Sequence, residues 1–125
     1  MPPHILLVED NAFVVGALRM LLEETGHRVS DAATVDAAAR AVRDDPPDLV
    51  LLDLTRGSES GLALLAQSNQ GGGARPVVVA LTGHDDAETR ARCLAAGCRD
   101  VLVKPIRALE LAPLIAGWLG ERVRS

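Results

Sequence analysis

Short runs rich in Val, Ile and Leu alternate five times along the chain with longer stretches of helical period. The strand candidates are Ile5-Leu6-Leu7-Val8, a short run at Arg28-Val29-Ser30, Leu49-Val50-Leu51-Leu52, Val77-Val78-Val79-Ala80-Leu81 and Val101-Leu102-Val103. Most show no alternation of apolar and polar positions, as expected for strands buried on both faces of a parallel sheet. The second is the weakest and is expected at an edge. In the first helix candidate, Val14, Ala17, Leu18, Leu21 and Leu22 recur at i, i+3, i+4, i+7 and i+8, and Glu23, Glu24 and Gly26 close the segment. Thr34 is placed to cap a second helix that ends before Asp45-Pro46-Pro47, and Ser60 to cap a third around Leu62, Leu64 and Leu65. Asp85 and Glu88 form a capping-box pattern for a fourth, which Gly97 ends. Leu111, Leu114, Ile115, Trp118 and Leu119 mark a fifth, with Pro113 expected to distort its opening turns.

Strand and helix in fivefold alternation imply right-handed crossovers and a sheet covered on both sides. The segment Gln67 through Pro76, with Gly71-Gly72-Gly73, is too short for a domain linker. The 125 residues are expected to form one domain, 1–125. Function in such a fold gathers at the C-terminal ends of the strands, where the strand order switches.

Composition narrows the function classes. With 48% hydrophobic and 24% charged residues the chain has a globular balance. One Phe, one Trp and no Tyr leave no stacking platform for single-stranded nucleic acid, and a net charge of -4 is wrong for gripping phosphate backbones. No direct nucleic acid partner is expected. No run approaches the roughly 18 uncharged apolar residues of a membrane span, and no signal-peptide pattern opens the chain, so a cytoplasmic protein without membrane contact is expected. Cys93 and Cys98 are too few for a disulfide framework and are expected to be idle or buried thiols.

The ends of the candidate strands carry the chemistry: Glu9-Asp10 after the first, Asp53 after the third, Thr82 after the fourth and Lys104-Pro105 after the fifth. Each has a milder reading. Glu9-Asp10 suits the start of the first helix, where negative charge is favoured. Asp53 suits an Asx-turn and Thr82-Gly83 a common turn, and Lys104 suits a solvated loop. Their conjunction at one sheet edge favours a functional site. His84-Asp85-Asp86 is read as a capped helix start rather than a second metal site, and His4 and His27 as surface or strand-boundary residues.

The motifs Leu7-Val8-Glu9-Asp10-Asn11, Leu51-Leu52-Asp53-Leu54, Ala80-Leu81-Thr82-Gly83 and Val103-Lys104-Pro105-Ile106, in this order and spacing, resemble the receiver domain of two-component response regulators. The resemblance spans the chain from Ile5 to the last helix. It implies an α/β, flavodoxin-like (βα)5 sandwich whose five parallel strands run in the order 2-1-3-4-5. It also implies a phosphoacceptor, with Asp10, Asp53 and the backbone carbonyl of Thr55 coordinating a metal and Glu9 acting through metal-bound water. Packed carboxylates repel one another unless a cation joins them, and a hard, oxygen-bound ion such as Mg²⁺ suits them. Asp53 is then the nucleophile, Lys104 a cation for the phosphoryl oxygens and Thr82 a hydroxyl donor. The implied partners are a sensor histidine kinase or histidine phosphotransfer protein and a downstream protein target, and the resemblance leaves room for a homodimer through the fourth helix, fifth strand and fifth helix. No output domain follows Trp118 in this sequence, so output is expected by contact, from a stand-alone regulator, a relay intermediate or a receiver belonging to a larger protein.

Two departures from the family pattern stand out. The position three before the lysine, where the family carries an aromatic residue that rotates on phosphorylation, is Val101. A Met-Pro pair common after the acceptor is replaced by Arg56-Gly57, which is expected to loosen that loop. Among rival classes, a haloacid-dehalogenase-type phosphatase needs a second Asp two residues after the nucleophile, where this chain has Thr55. A flavodoxin or nucleotide binder needs an anion cradle where this chain has Glu9-Asp10. A receiver-shaped scaffold that is never phosphorylated is the remaining alternative.

Overall fold

A computed structural model describes residues 3–54, 76–83, 87–104 and 106–124. Five strands, β1 (His4–Val8), β2 (Arg28–Ala32), β3 (Leu49–Leu54), β4 (Val77–Thr82) and β5 (Asp100–Val103), form one sheet in the order β2-β1-β3-β4-β5. Every adjacent pair is parallel. The helices among the described residues are α1 (Ala12–Glu24), α2 (Val35–Asp44), α3 (Ala87–Ala96) and α4 (Ala108–Arg124). The expected third helix, the glycine-rich connection and the Asp85 half of the capping box lie outside the described residues.

Strand periodicity divides the core in two. Leu6, Val8, Val50, Leu52, Ala80 and Val101 face the side covered by Ala38 and Val42 of α2 and Cys93 of α3. Ile5, Leu7, Leu51, Val79 and Leu81 face the side covered by Leu22 of α1 and by Leu111, Ile115 and Trp118 of α4. All residues of β1 and β3 are buried, which is why their sequences read as unbroken apolar runs. The edge strand β2 buries only Val29, on the α1 and α4 side, and Ala32, on the other.

Local chemistry sets the ends of the helices. The Asn11 side chain accepts hydrogen bonds from the Phe13 and Val14 amides and caps α1, so the cap is Asn11 rather than Glu9-Asp10. Thr34 caps α2 by accepting from the Ala37 amide at 3.1 Å. Gly97 ends α3 with φ of 113°, a conformation that a Cβ disfavours, while the Cys98 amide reaches back to the Cys93 carbonyl. The expected distortion at Pro113 does not break α4, which runs continuously past an exposed proline ring. Cys93 and Cys98 are buried thiols, and burial, with Cys93 alongside, pushes the Cys98 thiol up to about 12, so Cys98 is not a nucleophile at neutral pH.

Candidate functional site at the C-terminal edge of the sheet

The chain leaves β1 for β2 on one side and returns past it to β3 on the other, so the strand order switches between β1 and β3. Glu9 and Asp10 leave β1 at this point, and Asp53 is the penultimate residue of β3. With side chains alternating along each strand, Glu9 continues the phase of Ile5 and Leu7, Asp53 that of Leu49 and Leu51, and Lys104 that of Leu102. All three lie on the α1 and α4 side of the sheet edge.

Glu9 is buried. Its amide donates to the Ala32 carbonyl of β2, and its Oε1 accepts from the Asn11 amide at 2.9 Å. Its other oxygen, Oε2, is buried without a hydrogen bond and lies 3.9 Å from the Lys104 ammonium. Asp53 is also buried, and its Oδ1 sits 2.6 Å from Lys104 Nζ. Lys104 reaches them because its own amide donates to the Thr82 carbonyl at 2.7 Å, fastening the exit of β5 across the end of β4. Thr82 pairs in register with Leu54 and Val103 and is 1% exposed. Its side chain continues the phase of Val78 and Ala80, and buried Val101 shares that side of the sheet.

Glu9, Asp53 and Lys104 therefore come together, Thr82 stands on the neighbouring strand, and Asp10 is exposed at the mouth. Thr55, Arg56-Gly57 and His84-Asp85-Asp86 lie outside the described residues. Among the described residues no three His, Cys, Asp or Glu side chains form a ready-made metal cage. The donor set still fits a hard divalent ion. It is all oxygen, it includes the buried Glu9 Oε2 with no hydrogen bond, and Mg²⁺ takes few carboxylates while keeping several waters.

Two neighbours of the site carry little sequence signal. Asn11 follows two acids that themselves suit a helix start, yet its side chain makes the cap. Phe13 stands off the apolar stripe of α1 and is 92% exposed, a rare state for the only Phe of the chain. It opens a groove of about 590 Å³, lined also by Val14, Ala17, Leu18, Leu81, Lys104 and Ile106, so that apolar surface runs up to the lysine that holds Asp53. No helix among the described residues is long and apolar enough to cross a membrane.

Residues 5–116 match the family model for the response regulator receiver domain. The chain is 32% identical to the sensor histidine kinase GacS of Pseudomonas protegens over 98% of its own length and 14% of that protein's. It is 30% identical to the transcriptional regulatory protein PhoP of Escherichia coli, over 86% of this chain and 48% of PhoP. The chain thus spans half or less of the length of these relatives. Among solved structures, the receiver domain of a Pseudomonas aeruginosa sensor histidine kinase, which has a magnesium ion coordinated in its active site cleft, superposes with a TM-score of 0.82 at 30% identity, covering 96% of this chain and 99% of that one. A receiver domain from Methanospirillum hungatei superposes at 0.88 with 23% identity, over 99% and 98%, and speaks to the fold alone. Motifs at four strand ends, the 2-1-3-4-5 sheet and the family match converge, and the chain belongs to the response regulator receiver domain family of two-component signalling.

Proposed function

We propose that residues 1–125 act as one cytoplasmic receiver unit that takes up a phosphoryl group on Asp53 from the phosphohistidine of a sensor histidine kinase or a histidine phosphotransfer protein. The observation that carries this reading is the contact of Lys104 Nζ with Asp53 Oδ1 at 2.6 Å, with the unbonded Glu9 Oε2 beside it. A cation already sits where negative charge would build up on a transferring phosphoryl group.

In this reading an Asp53 carboxylate oxygen attacks phosphorus in line, the new O–P bond forms as the N–P bond breaks, and the bonding pair leaves with the histidine nitrogen. Lys104, a compact point charge on a flexible stem, shifts its ammonium from the carboxylate to a phosphoryl oxygen. Thr82 donates its hydroxyl to another. A charge-assisted bond of this kind is worth about 1.5 to 3 kcal/mol. Glu9, Asp10, Asp53 and the Thr55 carbonyl would hold Mg²⁺, which supplies positive charge to the phosphoryl oxygens. Asp53 acts here as a phosphoacceptor rather than as the nucleophile of a turnover phosphatase, since Thr55 stands where a second acid would be required.

The groove at Phe13 gives the donor protein a place to dock, because apolar surface that ends at Lys104 brings a bound partner to the acceptor. Phe13→Ala is expected to slow transfer from a phosphorylated donor protein about tenfold or more, in the range of an aromatic interface anchor, and to leave transfer from acetyl phosphate unchanged. Output would follow by contact with a downstream protein, through a face that has Val101 where an aromatic residue would otherwise rotate.

The test is to incubate the protein with Mg²⁺ and acetyl phosphate and to look for an acid-stable, base-labile added phosphate by intact mass. An adduct that disappears in Asp53→Asn is expected. An adduct undiminished by that substitution, or none even with a cognate kinase, would favour the scaffold.

A further inference from the structure

The opposite end of the sheet carries a second charged cluster, independent of phosphoryl chemistry. His4, the first residue of β1, is 5% exposed, so it is a buried strand-boundary residue and not a surface one. Its ring Nε2 lies 2.5 Å from Ser30 Oγ on β2, and its backbone is clasped by Asp48, whose Oδ2 accepts from the His4 amide at 2.8 Å and whose amide donates to the His4 carbonyl at 2.7 Å. Three charged groups face the ring: Arg28 on β2, Asp45 at the end of α2, and Asp48 before β3. Ring Nδ1 is buried without a hydrogen bond, and Asp45 Oδ2 is 4.0 Å away. That carboxylate is already engaged, since both of its oxygens accept from the Arg28 guanidinium, at 3.0 and 3.4 Å.

We propose that His4, Arg28 and Asp45 form an acid-sensitive latch at the N-terminal edge of the sheet: a protonated His4 competes with Arg28 for the Asp45 carboxylate and loosens the junction of β1, β2 and the α2–β3 turn. The neutral ring satisfies Ser30 and tolerates burial. The charged ring must leave water and stand near the Arg28 cation, and the acceptors that face it, the Asp45 carboxylate at 4.0 Å and the Pro46 carbonyl, offset this only in part. Burial and then Arg28 accordingly hold the His4 pKa below the usual 6.5, against the opposing pull of Asp45, Asp48 and the Pro46 carbonyl. With the folded value depressed, the unfolded chain binds the proton more readily. The neutral ring's contribution is complete above 6.5 and is lost as pH falls from there through the folded value.

The test is an NMR titration of the His4 ring in the intact chain, assigned with His4→Gln, together with urea unfolding at about pH 7.5 and about pH 5.5, either side of the ordinary histidine value. A His4 midpoint below 6.5 is expected. Arg28→Gln should raise it and shrink the acid loss of stability, and Asp45→Asn should lower it and enlarge that loss. Both side chains are more than half exposed, so these variants report even where His4→Gln fails to fold. Amide exchange, corrected for its intrinsic pH dependence, should accelerate on acidification at Arg28 and Asp48 but not at Lys104, whose amide bond lies at the other end. A His4 midpoint at or above 6.5, a midpoint indifferent to Arg28, or acceleration spread evenly over the sheet would overturn the latch.

Discussion

The two ends of this sheet gather similar groups and use them differently. At the N-terminal edge each acid has a fixed occupation: Asp48 clasps the His4 backbone and Asp45 holds Arg28. At the C-terminal edge an oxygen of Glu9 is buried without a hydrogen bond, and Asp10 is exposed beside it. Leaving a buried carboxylate oxygen unbonded costs on the order of 1 to 3 kcal/mol, so a fold keeps one where a ligand completes the set. An acid at a strand end is therefore weak evidence for a site, and an acid with unused bonding capacity is stronger, whereas the unbonded Nδ1 of His4 at the other edge belongs to a ring that is neutral without it.

The sharpest way to break that comparison is to exchange one residue at each end. Asp53→Asn is expected to abolish the phosphate adduct formed with Mg²⁺ and acetyl phosphate, while His4→Gln should retain it at the wild-type extent wherever it folds. An adduct lost equally in both would mean that the two edges are not independent. Asp53→Asn should also fold, since the amide keeps the size of the carboxylate and still presents an oxygen to Lys104.

Next in size is removal of the cation at each end. Lys104→Met leaves the Glu9 and Asp53 carboxylates buried with no ammonium between them. Breaking a fully buried pair is worth 3 to 5 kcal/mol; because a third of the Lys104 side chain is exposed, about 1 to 3 kcal/mol is expected. Millimolar Mg²⁺ should restore much of it, giving a larger rise in Tm for Lys104→Met than for the wild type. Arg28→Gln, which removes an exposed cation, should change stability little at neutral pH and show no response to Mg²⁺. A Lys104→Met protein as stable as the wild type without Mg²⁺ would mean that the acids do not depend on that lysine.

What the sequence reveals of these edges follows from how far each feature lies along the chain. β1, β3 and β4 are legible because burial on both faces writes continuous apolar runs, and β2 is faint because an edge strand buries only Val29 and Ala32. Glu9, Asp53 and Lys104 are legible because each follows such a run in the phase that turns it to one side. The His4 cluster is not, since its hydrogen-bond partners are 26 and 44 residues away and none continues a motif. Asn11 is masked by the two acids before it, and Phe13 is an apolar residue that the helical stripe does not use.

The smallest effect separates two caps of the same kind. Asn11 holds the Phe13 amide at 2.9 Å and Thr34 holds the Ala37 amide at 3.1 Å, so replacing either with Ala should lower unfolding stability by about 1 kcal/mol. Their neighbours differ. The Asn11 amide also holds Glu9 Oε1, so fraying the start of α1 frees the carboxylate whose second oxygen faces Lys104. Nothing comparable joins Thr34 to Asp53 among the hydrogen bonds of the described residues. Asn11→Ala is therefore expected to slow phosphoryl uptake several-fold while Thr34→Ala leaves it unchanged at equal stability, as measured by the rate of adduct formation with acetyl phosphate. Equal slowing in both would mean that uptake follows the stability of the helices at this edge rather than the anchoring of Glu9.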